Sequence, residues 1–160
     1  MQDRLQGAGV PVVSAPRLRA TPLARFERDG LKAALKKAGL PAGDVEGPDL
    51  MFWRFETRDD VPVGFGGLEI HGRDALLRSL VTLPPVRRKG FGAAIVNAIE
   101  FEAGLLGSHA IYLLTMDTAF FVRLGYKNCK RADVPNAITS SQQFAMLDQA
   151  KASTMVKRIG

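Results

Sequence analysis

Apolar positions along the chain repeat with two different periods. Leu31, Ala34, Leu35 and Ala38 recur at helical spacing, with Lys32, Lys36 and Lys37 between them. That predicts a helix with one buried and one wet stripe. Gly39 and Pro41 end it. Ahead of it, 12–20 reads as a strand. Thr21-Pro22 reads as an N-cap followed by proline at the first helical position. A second helix is predicted from Phe91. Ala94, Ala98, Phe101 and Leu105 trace its apolar stripe, Phe91, Ile95 and Ile99 lie beside it, and Gly107 stops it.

Between these helices the chain reads as strands in series. MFWRFE (51–56) and VPVGFGGLEIH (61–71) flank TRDD and predict a hairpin. Trp53 and Phe55 alternate as a core face. ALLRSLVTL (75–83) follows the turn at 71–74. Later, AIYLLTM (110–116) is a short apolar run of the buried-strand type. TAFFVRLG is a short helix closed by Gly125, YKNCKR a strand, the stretch from Pro135 through Leu147 a helix, and 152–159 a last strand. The order is strand, helix, three strands, helix, strand, helix, strand, helix, strand. It predicts a mixed sheet of the α/β (α+β) class. The strands 75–83 and 110–116, joined through the helix 91–106, form a crossover unit and should run parallel.

Composition narrows the class without choosing a function. At 160 residues, 46% apolar and 24% charged, the chain reads as one globular domain over 17–160. Residues 1–16 read as a loose extension. They contain no apolar core of a secretory signal, and no run is long enough for a membrane helix. The single cysteine, Cys129, excludes an intrachain disulfide framework and a cysteine-cluster metal site, so no metal is expected, and it suits a cytoplasmic setting. The net charge of +6 permits nucleic acid, an acidic membrane surface or a phosphorylated ligand. Basic residues do not alternate with aromatics as in a base-stacking platform, so nucleic acid is disfavoured, and no membrane partner is expected.

The chemistry concentrates in PPVRRKGFGA (84–93). A helix N-terminus offers unpaired N–H groups and partial positive charge. Gly90 and Gly92 let a ligand approach the backbone, and Arg87, Arg88 and Lys89 add cations. Two readings fit: a pyrophosphate cradle, or a turn whose cations face water. Neither GxGxxG nor GxxxxGK[ST] is present.

Arg87-x-x-Gly90-x-Gly92, following a strand and opening a helix, resembles the cofactor motif of the GNAT acetyltransferases. Some thirty residues on, FFVRLGY (120–126) resembles that family's second signature. The element order is similar over nearly the whole chain after Arg17. LKAALKKAGLP, GLEIHG, ALLRSL, IYLLT, FFVRLGY and ADVPNA are also similar to the GNAT branch often found among arsenic-resistance genes. The resemblance implies a sheet of about six or seven strands with about four helices, two parallel strands splaying at the cofactor cleft, and a homodimer. It implies transfer of an acetyl group from acetyl-CoA to a small-molecule amine, with toxin or arsenic resistance as a context. The N–H groups from Arg88 to Ala93, Phe91 included, would hold the pyrophosphate, with Arg87 and Lys89 adding charge. Leu80, Val81 and Thr82 would align the pantetheine arm, and the Val81 N–H would stabilise the oxyanion.

An attacking amine must lose a proton. Glu69 is the candidate base, because alternation aligns it with Val63, Phe65 and Gly67. The alternative is a solvated carboxylate at a strand end. His71, two residues on, points the same way but lies at the turn, where an exposed loop histidine is favoured over a catalytic one. Phe121 stands where many relatives carry a tyrosine, so acid assistance to the thiolate is in doubt. Phe121 would pack against the thioester end, and Phe120 reads as core. Arg78, alternating with Leu76 and Leu80, either recognises an anionic substrate group or pairs with Glu69 or Glu56. Ser79 faces the other way, near the reaction centre. A second reading is a CoA-binding module without catalysis.

Overall fold

The computed structural model describes residues 17–40, 42, 45, 49–86, 90–141, 144 and 152–160. A seven-stranded sheet runs in the order β1-β2-β3-β4-β5-β7-β6. Its strands are β1 (Arg19–Pro22), β2 (Leu50–Glu56), β3 (Pro62–His71), β4 (Asp74–Thr82), β5 (Ala110–Thr115), β6 (Lys127–Asn128) and β7 (Ser153–Arg158). The α-helices among the described residues are α1 (Arg28–Lys37), α2 (Phe91–Leu105), α3 (Thr118–Arg123) and α4 (Asn136–Thr139). The element order is the expected one. The helix expected from Pro135 through Leu147 ends at Thr139; its residues 142–143 and 145–147, like the expected extension over 1–16, lie outside the described residues.

Several boundaries differ from expectation, each for a local reason. Thr21 and Pro22 do not start α1. They pair with Arg54 and Trp53 in β1, an edge strand where proline is tolerated. The strand expected over 126–131 shrinks to β6, because Arg131–Asp133 forms a 3-10 turn. The TRDD hairpin stands: the Asp60 N–H donates to the Thr57 carbonyl at 3.0 Å, and Asp60 takes φ 64°.

Strands β1 to β4 pair antiparallel in series. β4 and β5 pair parallel, as the crossover predicts, but only from Asp74–Ala110 to Leu76–Tyr112. β5 pairs with β7 along its whole length, and β4 stays with β3 as far as Thr82. The two strands therefore part company beyond Leu76.

Two irregularities shift side chains between faces. Phe55 pairs with Gly64 and Glu56 with Pro62, which leaves Val63 as an extra residue. Phe65 pairs with Val81 and Gly67 with Arg78, so Ser79 and Leu80 together face Gly66. Ser79 takes φ 57°, a left-handed conformation uncommon for serine. Strict alternation fails at both places. Val63 packs with Leu68 and Leu77, not on the face of Glu69. Leu80 leans on the α2 side, so Arg78 shares its face with Leu76 and Val81.

The sheet buries a core on each face. On one, Ile95, Val96 and Ile99 of α2 meet Trp53, Phe55, Leu68 and Leu77. On the other, Leu31 and Leu35 of α1 meet Phe52 and Val81, and Leu76 and Tyr112 meet Ile138 and Phe144. The buried face of α2 is Ala94, Ile95, Val96, Ile99 and Ala103. Phe101 and Leu105, expected in its stripe, are largely exposed. The cause lies across the interface: a Cβ on Gly66 would stand 2.3 Å from Ile99 Cδ1, so glycine draws the isoleucine row inward.

Candidate functional site

The gap between β4 and β5 opens into a cavity of about 210 Å³. Leu77, Leu113 and Phe121 line it from the α2 face, and Arg78 and Leu114 from the other. The opening thus passes between the strands from one side of the sheet to the other. A second cavity of about 510 Å³ adjoins it and shares Leu40, Leu80 and Phe121. Val81, Thr82, Gly90, Gly92, Ala93 and Phe120 line it further, with Ala38 and Asp117 at its wall as well. Phe120, expected in the core, is half-buried and lines this cavity.

Gly90 caps α2 with φ 82°, a conformation that costs any residue with a Cβ. Among the described residues, chain neighbours aside, no atom lies within 4 Å of where its Cβ would stand, whereas a Cβ on Gly92 would sit 3.3 Å from Phe120. Gly90 therefore serves the chain's turn as well as leaving room, and Gly92 keeps the cavity wall thin. Phe91 opens the helix and packs partly against the core. Arg87, Arg88 and Lys89 lie outside the described residues.

On the opposite face, Arg78 and Glu69 are buried together. Arg78 Nη1 donates to Glu69 Oε2 at 3.2 Å, and its Nε reaches Ser79 Oγ at 3.4 Å. His71 Nε2 stands 2.7 Å from Glu69 Oε1. Of the alternatives for Arg78, pairing with Glu69 is the one observed. Glu69 is not a solvated strand-end carboxylate, nor does it sit among apolar groups alone: each of its oxygens faces a nitrogen. Phe52 lies beneath, its ring centre 5.8 Å from the Arg78 guanidinium and 5.0 Å from that of Arg28.

Comparison with known proteins accords with this cleft. The sequence profile of the acetyltransferase (GNAT) domain matches residues 48–128, more than half of the chain. The protein belongs to the GNAT acetyltransferase family. It is 34% identical over 64 residues to an uncharacterized N-acetyltransferase of Chlorobaculum tepidum, an alignment spanning 40% of this chain and 41% of that relative. Its fold is that of Rv2747 from Mycobacterium tuberculosis, solved in complex with CoA (TM-score 0.65, 20% identity, 91% of this chain and 100% of that one). It is also that of N-acetylglutamate synthase from Neisseria gonorrhoeae, solved with CoA and N-acetyl-glutamate (TM-score 0.70, 12% identity). There the match covers 92% of this chain but only 36% of the synthase.

In this GNAT domain Phe121 is buried, with edge-to-face contacts to Phe120 at 4.9 Å and Tyr126 at 5.5 Å. Tyr126 points elsewhere: its hydroxyl donates to Glu100 Oε2 at 2.9 Å. Lys157 Nζ donates to Glu100 Oε1 at 3.0 Å and to the Leu124 carbonyl at 2.9 Å. Burial, then the Glu100 charge, pushes the Tyr126 hydroxyl far above its usual range. Burial, then Asp74, raises Tyr112. Burial likewise raises the Cys129 thiol, which disfavours the reactive thiolate. Among the described residues no cluster of three or more His, Cys, Asp or Glu could hold a metal, and no helix is long and apolar enough to cross a membrane.

Sequence reasoning set His71 on the side of Glu69 but read it as exposed, and it missed the backbone turn at Ser79. The Glu69-x-His71 spacing was a usable signal, since residues two apart on a strand share a face. Nothing local marks Ser79, whose conformation exists only in register with β3.

Proposed function

We propose that this GNAT domain is an acetyl-CoA-dependent N-acetyltransferase acting on a small-molecule amine. One observation carries the reading: two adjoining cavities line up from the glycine-capped start of α2, along Leu80 to Thr82, to the gap between β4 and β5 and buried Arg78. The CoA complexes of the structural neighbours support it. The N–H groups of 88–93, with Gly90, Phe91, Gly92 and Ala93, hold the pyrophosphate, and Arg87, Arg88 and Lys89 add charge. Leu80, Val81 and Thr82 align the pantetheine arm, with Phe121 against the thioester.

An ammonium near pKa about 10 first yields a proton to Glu69. The freed pair forms the N–C bond while the carbonyl π electrons move to oxygen, and the Val81 N–H donates a hydrogen bond to the resulting oxyanion. Collapse breaks the C–S bond. CoA leaves as a thiolate and takes the nitrogen's surplus proton through water. A thiol of pKa about 8.5 departs without an acid, which suits Phe121 and the commitment of Tyr126 to Glu100. Arg78 and Ser79 border the acceptor side. The reading extends to a cytoplasmic homodimer and to a resistance role against an amine-bearing toxin, including in an arsenic-resistance setting.

Thermal shift with acetyl-CoA and thiol release over a panel of primary amines test the reading. Stabilisation and turnover are expected; absence of both sinks it. Binding without turnover would favour the non-catalytic module, for which Phe121 is the motivating residue. Gly90→Val is expected to abolish the shift and Lys89→Ala only to reduce it. Equal losses would overturn that division.

A further inference from the structure

Three side chains form a row on the face opposite α2. Exposure rises along it, from 1% for the Arg78 side chain to 10% for Glu69 and 20% for His71. Arg78 grips Glu69 Oε2 from the cavity side. His71 closes β3 from the outer side, 2.7 Å from Oε1. Its cross-strand partner is Asp74, and Arg73 lies in the connecting turn. Glu69 has a flexible stem, so one donor alone leaves its carboxylate free to pivot about that contact. Two donors on different oxygens fix the plane of the group. Each oxygen then keeps one lone pair, and the direction of the free pair on Oε2, the oxygen held by the cavity-lining Arg78, is set.

We infer that His71 is a positioning residue for the reaction. Its Nε2–H donates to Glu69 Oε1 and, with Arg78, holds the carboxylate in the one orientation that meets the acceptor's proton. The inference rests on the reading of Glu69 as the base. It does not make His71 a base itself, because His71 is level with Asp74, where β4 still pairs with β5, and so lies away from the gap that opens beyond Leu76.

The test uses the full chain, acetyl-CoA, and whichever of spermidine, tyramine, kanamycin or the L-amino acids the wild type turns over fastest. His71→Leu is expected to lower kcat about tenfold or more, with KM for acetyl-CoA and the melting temperature unchanged. His71→Gln, which keeps an N–H donor, is expected to recover most of that rate. Wild-type kcat in His71→Leu, a loss that follows melting instead, or no recovery in His71→Gln each overturns the inference. Glu69→Gln separates the two layers. A wild-type rate there sinks the base reading, and the role of His71 with it; an inactive Glu69→Gln beside a fully active His71→Leu sinks only the role of His71. Nitrogen-15 spectra of the imidazoles give a readout without any acceptor. The chain has two histidines, so a His109→Gln sample assigns them. At about pH 9, where an imidazole is neutral, the Nε2–H tautomer is expected for His71, and the Nδ1–H tautomer overturns the inference.

Discussion

The two faces of the sheet hold their helices in opposite ways. Under α2 the contact is dry and tight: Gly64 and Gly66 present bare backbone, and Ile95 and Ile99 fill the space. Its polar network, Tyr126 with Glu100 and Lys157, is only partly buried. Under α1 the sheet buries charge instead. Arg28 and Arg78 flank Phe52, and Glu69 is paired with Arg78. A buried ion pair adds little stability compared with well-packed apolar groups. The first face therefore reads as the one that folds the protein, and the second as the one that keeps costly groups for use.

The sharpest way to break this contrast is Gly64→Ala. The new Cβ would stand 2.1 Å from the backbone oxygen of Val81, and no side chain can move to relieve that. A loss of about 3 kcal/mol is expected in urea unfolding. A loss below about 1 kcal/mol would show the α2 face to be looser than described.

Equal in size is Glu69→Leu, which takes the carboxylate away from the buried Arg78. A loss of about 3 kcal/mol is expected. The double variant Glu69→Leu/Arg78→Met should regain most of it while remaining inactive. A double variant as unstable as the single would mean that the charges serve the fold.

Tyr126→Phe should be the mildest, at about 1 kcal/mol near neutral pH. Its pH dependence is more telling. Below about pH 10 a tyrosine holds its proton in both the folded and the unfolded chain. Above that, the unfolded chain releases it, while burial and Glu100 keep Tyr126 protonated in the fold. Stability should then fall by about 1.4 kcal/mol per pH unit from this residue. Tyr126→Phe removes that share and leaves the smaller one from Tyr112. Identical slopes above pH 10 in the two proteins would refute the burial of this hydroxyl.

Much of the fold was legible because its signals are local. TRDD between two alternating runs specifies a hairpin, and Leu31 with Leu35 specifies the inner side of α1. The glycine-capped helix start was legible through its context, a strand and a proline pair ahead of Gly90. What stayed hidden depends on neighbours in space. Val63 and Leu80 each broke alternation because a residue was inserted relative to the adjoining strand. Phe101 and Leu105 looked buried because a helix read alone cannot know that β3 offers glycines under Ile95 and Ile99. Glu69 stands out in the sequence as a carboxylate on a largely apolar strand, but its partners come from β4 and from the end of its own strand.

The turn at Ser79 has one more consequence, for how this chain can change. Substitution there alters only how comfortably one residue holds a φ of 57°. Deletion is a different event. A strand's inward and outward positions count off in twos, and the extra residue at 79–80 is a phase slip between two halves of β4. Losing it would bring the halves into step and trade inside for outside along one of them, separating Arg78 from Val81 or Leu77 from Leu80. Point changes tune this site, whereas a single lost codon would rewrite which side of the protein it belongs to.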